Sequence, residues 1–490
     1  MKFWTILAVA ILLPIQVASV NYNYSYYGDV IHSSPGMNFA TYFNENTTGL
    51  PFSSPEDIVV YENMIYMIDS NENALITLNN EFEKADDGIY TEFELSNTYL
   101  DTLSPEDSTD ALTLNGPYGL EVKESGIYIA DTGNHRIIKL NHDYEVLDVF
   151  QDIEEAVFDE ITFEPRKITV DSAERVYVVA RNVYEGIIEL SSDGSFNRYT
   201  GVNPVSLNPF EIFQRSLMTD EQLDQLQLYL PTEYTNVSMT EKNFIYATSR
   251  PSEENAENMI QLINPKGVDV LVRNGYHSPM GDIQYIEESN NYVISGPSTL
   301  VDIAYTDNGI YTVLDQKRSR LFTYDSEGNL LYINGNEGSQ SDKFSEGVAM
   351  AYLGDDLLVL DRKSRTVVVY QLTEFGKKVN TAIGFHENGE FLKAAEVWEE
   401  VLKLNTNYEI AYNGIGKYYL RDENYKEAMK YFKLGHDTYY YSKAFKNYRN
   451  EVLKENFGWI MGGIVFITAS VIGLRIYRVK KNGGSVLYEE

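Results

Sequence analysis

One unit recurs six times along this chain, and no single copy of it can bury its own apolar faces. The unit opens with a turn and runs through a short apolar strand, a second strand ending in aspartate, and a third apolar strand. The clearest copy is Pro117-Tyr118-Gly119-Leu120-Glu121-Val122, then Gly126-Ile127-Tyr128-Ile129-Ala130-Asp131, then Asn134-His135-Arg136-Ile137-Ile138-Lys139-Leu140. Looser copies begin at Pro55, Pro165 and Asn236, followed by one at Val301 and one that holds Asp356-Leu357-Leu358-Val359-Leu360-Asp361. Their spacing of about 46 to 67 residues suits a four-stranded blade with loops. A closed ring buries every face and removes the exposed sheet edges that an open row would leave, so an all-β six-bladed propeller is expected over residues 50–371. The segment 20–49 is a candidate ring-closing strand, and the blade between about 231 and 272 has the weakest pattern.

The copy at Pro117 resembles an NHL repeat, and the whole region resembles NHL-type propellers. Aspartate at the end of the second strand with a following arginine, as in Asp131 with Arg136 and Asp315 with Arg320, recurs between copies. Repetition points to a framework tie between turns, because one active site needs no repetition. A related resemblance, to gluconolactonase-like propellers, implies a divalent cation held by side chains projecting from the innermost strands into the central tunnel. The residue before the first apolar position of each copy is Asp57, Gly119, Lys167, Asn236, Asp302 and Ala349 in turn. Asp57, Asn236 and Asp302 are hard oxygen donors that suit calcium. Lys167 in the same ring competes for those carboxylates, which favours a salt-bridged or watery tunnel. The six histidines are scattered and form no ligand pair, and the chain has no cysteine, which removes thiolate metal sites, disulfides and cysteine nucleophiles.

Two further stretches stand apart from the strand pattern. Residues 209–230 carry a helix signature, with Thr219 as N-cap, Gln222 three residues later and Leu223, Leu226 and Leu230 at helical spacing, and read as an insert over one face of the ring. The acidic loop at 101–110 reads as solvated surface.

After the ring the periodicity becomes helical. Gly389, Phe391, Ala394 and Trp398 are followed 34 residues later by Glu423, Tyr425, Ala428 and Phe432. Residues 376–455 therefore resemble tetratricopeptide (TPR) repeats, in which small residues let antiparallel helices approach and large ones fill the gaps between neighbours. Glu423 stands where glycine is usual. The resemblance implies a peptide groove, for which Asn413, Lys417 and Arg421 qualify by sharing one helix face at i, i+4, i+8. The alternative is that they only solubilise an exposed helix, with the helical region acting as a stalk.

Both ends carry membrane signals. Residues 1–19 read as a signal peptide: an early Lys2, an apolar stretch, then Val17-Ala18-Ser19, a pattern suited to signal peptidase. The alternative is an uncleaved anchor. Residues 457–474 hold no charge and span about 27 Å at 1.5 Å per residue, enough for one transmembrane helix, with Trp459 at an interface position. Lys443, Lys446, Arg449 and Lys454 before it match Arg475, Arg478, Lys480 and Lys481 behind it, so loop charge alone leaves orientation open. The signal sequence breaks the tie: residues from about 20 to 456 are expected outside, and 475–490 in the cytosol.

A formal net charge of −34, from 73 acidic and 39 basic side chains, repels phosphate backbones and sets nucleic acid aside. Three function classes follow. The first, and preferred, is a cell-surface binding or scaffold module for protein partners. The second is a cation-dependent gluconolactonase-like hydrolase resting on Asp57, Asn236 and Asp302. The third is a glycan-binding accessory of a sugar transport system, prompted by 39 tyrosines that offer flat faces to sugar rings.

Overall fold

The computed structural model describes residues 21–100, 111–155, 158, 162–201, 233–251, 256–289 and 292–481. The signal peptide, the acidic loop at 101–110, the helical insert at 209–230 and the tail beyond 481 lie outside the described residues. The chain forms two compact units, 1–387 and 388–490.

Alternating apolar residues in short runs, each closed by a turn, give antiparallel meanders in the first unit. In the first blade Pro55–Tyr61, Met64–Asp69, Ala74–Leu78 and Lys84–Tyr90 pair in chain order. The blades starting at Gly119, Pro165 and Leu300 repeat that order with four strands each. The fourth blade has three strands, Tyr234–Met239, Ile245–Ser249 and Ile260–Ile263, with an isolated bridge from Ile263 to Asp269 at its outer edge. In the sixth blade the fourth strand comes from the other end of the chain: Met37–Asn44 pairs antiparallel with Thr366–Leu372. That pairing joins the first and last strands of the ring, so the six-bladed propeller is closed by hydrogen bonds.

The apolar cores lie between blades. Phe52, Met67 and Ile76 of the first blade pack with Leu358, Leu360 and Val367 of the sixth. Ile68 and Leu75 meet Leu120 and Ile129 of the second, and Tyr128 and Ile137 meet Val176 and Val178 of the third. Each blade thus covers a face its neighbour could not cover alone, which is why the repeat is stable only as a ring.

The aspartate ending the second strand ties turns. Asp69 accepts the backbone N–H of Ser53 at 2.7 Å and of Ser54, and Asp131, Asp315 and Asp361 accept the N–H of Asn115, Thr299 and Ser345 in the same place. All four are fully buried. The arginine partner varies. Arg136 donates to Asp131 at 2.8 Å, whereas Arg320 donates to the Gly335 carbonyl and to Asn336, and the buried Arg318 stands 3.8 Å from Asp315.

The propeller's last strand runs into helix α1 (Glu374–Glu387) of the same unit. The second unit holds α2 (Phe391–Leu404), α3 (Glu409–Arg421), α4 (Tyr425–Leu434), α5 (Thr438–Glu455) and α6 (Phe457–Lys481), with α2 to α5 packed each on the next. Ala394 and Trp398 are buried, as are Ala428 and Phe432 one period later. Gly389 and Glu423, at corresponding positions, both take left-handed backbone, φ +76° and +61°. Glycine at 414 is needed for close helix approach, since a Cβ there would stand 2.2 Å from Trp398 Nε1. Helix α6 is long and apolar enough to cross a membrane and has no buried residue in the protein, which is compatible with a single-pass anchor.

Candidate functional site

The innermost strands bring the tunnel-facing residues together, and a backbone irregularity aims them. In five of these strands the ladder slips by one residue, between Pro55/Asp57, Pro165/Lys167, Tyr234/Asn236, Leu300/Asp302 and Gly347/Ala349. A bulge bends the strand and re-aims the residue after it. The bulge therefore falls at the same point of each of these blades, immediately before the ring residue.

Around the ring, side chains pair with one another. Lys167 Nζ is 2.7 Å from Asp57 Oδ1, although Gly119 stands between them in ring order. Glycine is required there, because a Cβ at 119 would stand 2.1 Å from the Arg166 carbonyl oxygen. The other oxygen of Asp57 accepts the Leu120 N–H at 3.0 Å, from the next blade. Asp302 repeats the device: it accepts the N–H of Ile303 at 2.8 Å and that of Met350 in the following blade, while the Asn236 amide donates to Asp302 Oδ1. Asp57, Lys167, Asn236 and Asp302 are all buried.

Two carboxylates face one ammonium here, so the fully ionised cluster carries one negative charge in excess. Burial pushes the Asp302 carboxyl up to about 7; Lys167 opposes that rise and Asp57 adds to it. Burial pulls the Lys167 ammonium down, but Asp57 and Asp302 outweigh it and hold it above its ordinary value. One proton on Asp302 makes the cluster neutral.

Above this floor the strands flare into a funnel of about 790 Å³. Its wall carries Glu121, Asp171 and Glu174, its rim carries Glu124 and Glu241, and Lys123 is the lysine among its lining residues. Tyr61, Tyr305 and Tyr352 add aromatic surface. A hydrogen-bonded girdle crosses four blades: Thr169 donates to Glu121 at 2.6 Å and accepts the Met239 N–H at 2.9 Å, and Tyr305 donates to the Met239 carbonyl at 2.7 Å. Burial pushes the Tyr352 hydroxyl up to about 12, where it shares a hydrogen bond of 2.7 Å with Thr312.

The three oxygen donors predicted from sequence thus line one cavity, but in paired form. Asp57 is occupied by Lys167, and Asn236 presents an N–H rather than its oxygen to Asp302. Among the described residues no group of three or more histidine, aspartate or glutamate side chains is placed to hold a metal ion. As arranged, the donors do not form a cation cage. Glu121, Thr169 and Asp171 give no signal in a pattern of one residue per strand. They lie two and four places along the same strand face as Gly119 and Lys167, and extending the period-two row from each ring residue finds them.

In the helical unit, Asn413 Nδ2 donates to the Gly435 carbonyl at 3.1 Å. Lys417 lies 5.1 Å from the Tyr440 ring centroid, and Arg421 4.2 Å from that of Phe391. All three are engaged with aromatic or backbone groups of their own unit.

No family model matches the chain, and no curated protein matches it. Among solved structures, virginiamycin B lyase from Staphylococcus aureus is similar at 10% identity and a TM-score of 0.40, covering 68% of this chain and 98% of that one. A streptogramin B lyase aligns at 14% identity and 0.41, covering 70% and 100%. The PQQ-bound aldose sugar dehydrogenase of Streptomyces coelicolor aligns at 11% and 0.33, covering 69% and 98%. At such identities and scores these likenesses concern the fold alone, which the six blades already establish.

Proposed function

We propose that the chain is a membrane-anchored extracytoplasmic binding module, an NHL-like propeller followed by TPR-like helices, whose acidic funnel receives a cationic segment of a protein partner. The observation that carries the reading is the contrast between the rim and the rest of the cavity, whose wall carboxylates Glu121, Asp171 and Glu174 stand 3.5, 2.6 and 2.7 Å from Lys123, Arg175 and Lys139. The carboxylates at the floor are already satisfied by Lys167, Asn236 and backbone N–H groups. The rim carboxylates Glu124 and Glu241 face solvent. Exposed carboxylates at the mouth of a low-dielectric cleft direct their field outward, which attracts and orients a basic side chain without bond-making.

The test is capture from native membranes through the C-terminal tail, comparing the natural chain with Glu124→Lys/Glu241→Lys. A partner retained by the first and lost by the second is expected. Partners indifferent to the reversal would remove the funnel from the reading.

A second reading has its own observation: Asp57, Asn236 and Asp302 converge on one tunnel. A calcium-dependent hydrolase would use them once Lys167 had swung out and the Asn236 amide had turned its oxygen inward. Thermal melting with calcium and with chelator decides it, and identical melting curves end it. The tyrosines lining the funnel favour a glycan in the same place, for which binding of the full chain to a glycan array is the measurement.

A further inference from the structure

Helix α5 is the last element before the membrane helix, separated from it by Asn456 alone. In a chain with a net charge of −34, its stretch from 441 to 455 holds four cations, Lys443, Lys446, Arg449 and Lys454, against two acids, Glu451 and Glu455. At 100° per residue Glu451 and Glu455 both fall on the side of Ala444, the buried residue by which α5 packs on its neighbours. The flank next to that side presents Tyr441, Phe445 and Val452 at i, i+4, i+11, exposed by 37%, 47% and 36%, and Arg449 and Lys446 follow further round the helix. Aromatic and aliphatic side chains in one stripe, with Arg449 and Lys446 on the side away from the acids, suit the boundary between headgroups and acyl chains.

The geometry points to a second membrane contact: the exposed face of α5 lies on an anionic phospholipid surface, with Tyr441, Phe445 and Val452 dipping among the headgroups and Lys446 and Arg449 against their phosphates. This rests on the reading of α6 as a membrane anchor. Continuity with α6 brings the face within reach, since Phe445 is twelve residues before Phe457, about 18 Å at 1.5 Å per residue. Charge complementarity selects the occupant, because the cations are concentrated on the juxtamembrane helix of an otherwise acidic molecule. The same contact gives Lys446 and Arg449 a role that does not compete with the four cations at the C-terminal end of α6 in setting orientation.

The absence of natural cysteine allows a clean test on the full chain. Ser442→Cys, on the proposed contact face, and Asn407→Cys, on an exposed turn elsewhere in the helical unit, each carry a fluorophore, and the protein is placed in nanodiscs containing doxyl-labelled lipid. In phosphatidylglycerol-rich discs the label at 442 should be quenched and that at 407 should not. Each of Lys446→Gln and Arg449→Gln should lower the helix–lipid association constant about five-fold, and ~1 M salt, with a Debye length of about 3 Å, should relieve the quenching. A 442 label as bright as the 407 label in these discs overturns the proposal, and so does equal quenching in pure phosphatidylcholine. Failure of the chain to enter discs at all overturns the anchor itself, a distinguishable result.

Discussion

Burying an ammonium costs several kcal/mol unless a carboxylate stands against it, and Lys167, 4% exposed, has Asp57 at 2.7 Å. Replacing it with methionine leaves Asp57 charged and unpaired, so Lys167→Met should lose about 3–5 kcal/mol in denaturant unfolding. Adding Asp57→Asn should restore most of that loss. An equal loss in single and double variants would mean that the pair is not coupled. Asp302 gives the pH dependence. Folded, it keeps its proton to about pH 7; unfolded, it releases it near the usual value of about 4. Between those values the folded protein binds the extra proton, so this contribution to stability is greatest at the acidic end and fades as pH rises through about 7. Asp302→Asn should flatten the fall in Tm across that window, and parallel curves for the two proteins would contradict it. The ring residues were legible because each precedes an apolar run at a repeated place. Their mutual pairing was not, since it needs Gly119 to let the backbone at Arg166 come close and the bulges to set the aim, and neither is a one-residue signal.

Among the elements, the turn before α4 shows how a repeat tolerates a departure. Glu423 adopts the left-handed conformation that Gly389 adopts one period earlier, so the turn keeps its shape and carries the strain. Glu423→Gly should therefore stabilise the helical unit by about 0.5–1 kcal/mol, read by thermal melting. Gly414→Ala should destabilise it by about 1–3 kcal/mol, because Trp398 cannot retreat from a packed interface. The offset of 34 residues from Gly389 made Glu423 visible in the sequence, whereas Gly414 belongs to no such match. Less visible was the fourth blade, whose outer edge is reduced to the bridge between Ile263 and Asp269. A pattern-based reading has no strand to detect there. The arginines of the turn ties also resisted reading: equal spacing at Asp131 and Asp315 implied equal partners, yet the buried Arg318 stands beside Asp315, and neighbouring loops decide which cation comes close.

At the scale of the molecule, one non-local contact closes everything. Met37–Asn44 lies more than three hundred residues from its partner strand Thr366–Leu372, and no local periodicity announces such a pairing. Without it the sixth blade would expose an edge and the core it shares with the first would lose Phe43. A full chain lacking residues 37–44 should unfold at markedly lower denaturant and with a shallower transition, whereas an unchanged midpoint would mean that the ring holds without its clasp. The closed ring also holds the funnel at fixed width, with its floor internally paired and its rim charged. The most direct test of that account is calorimetric titration of a lysine-rich peptide into the full chain, natural and Glu124→Lys/Glu241→Lys. Salt-sensitive binding to the natural chain that disappears in the variant is predicted; equal heats from both, or binding indifferent to salt, would contradict it.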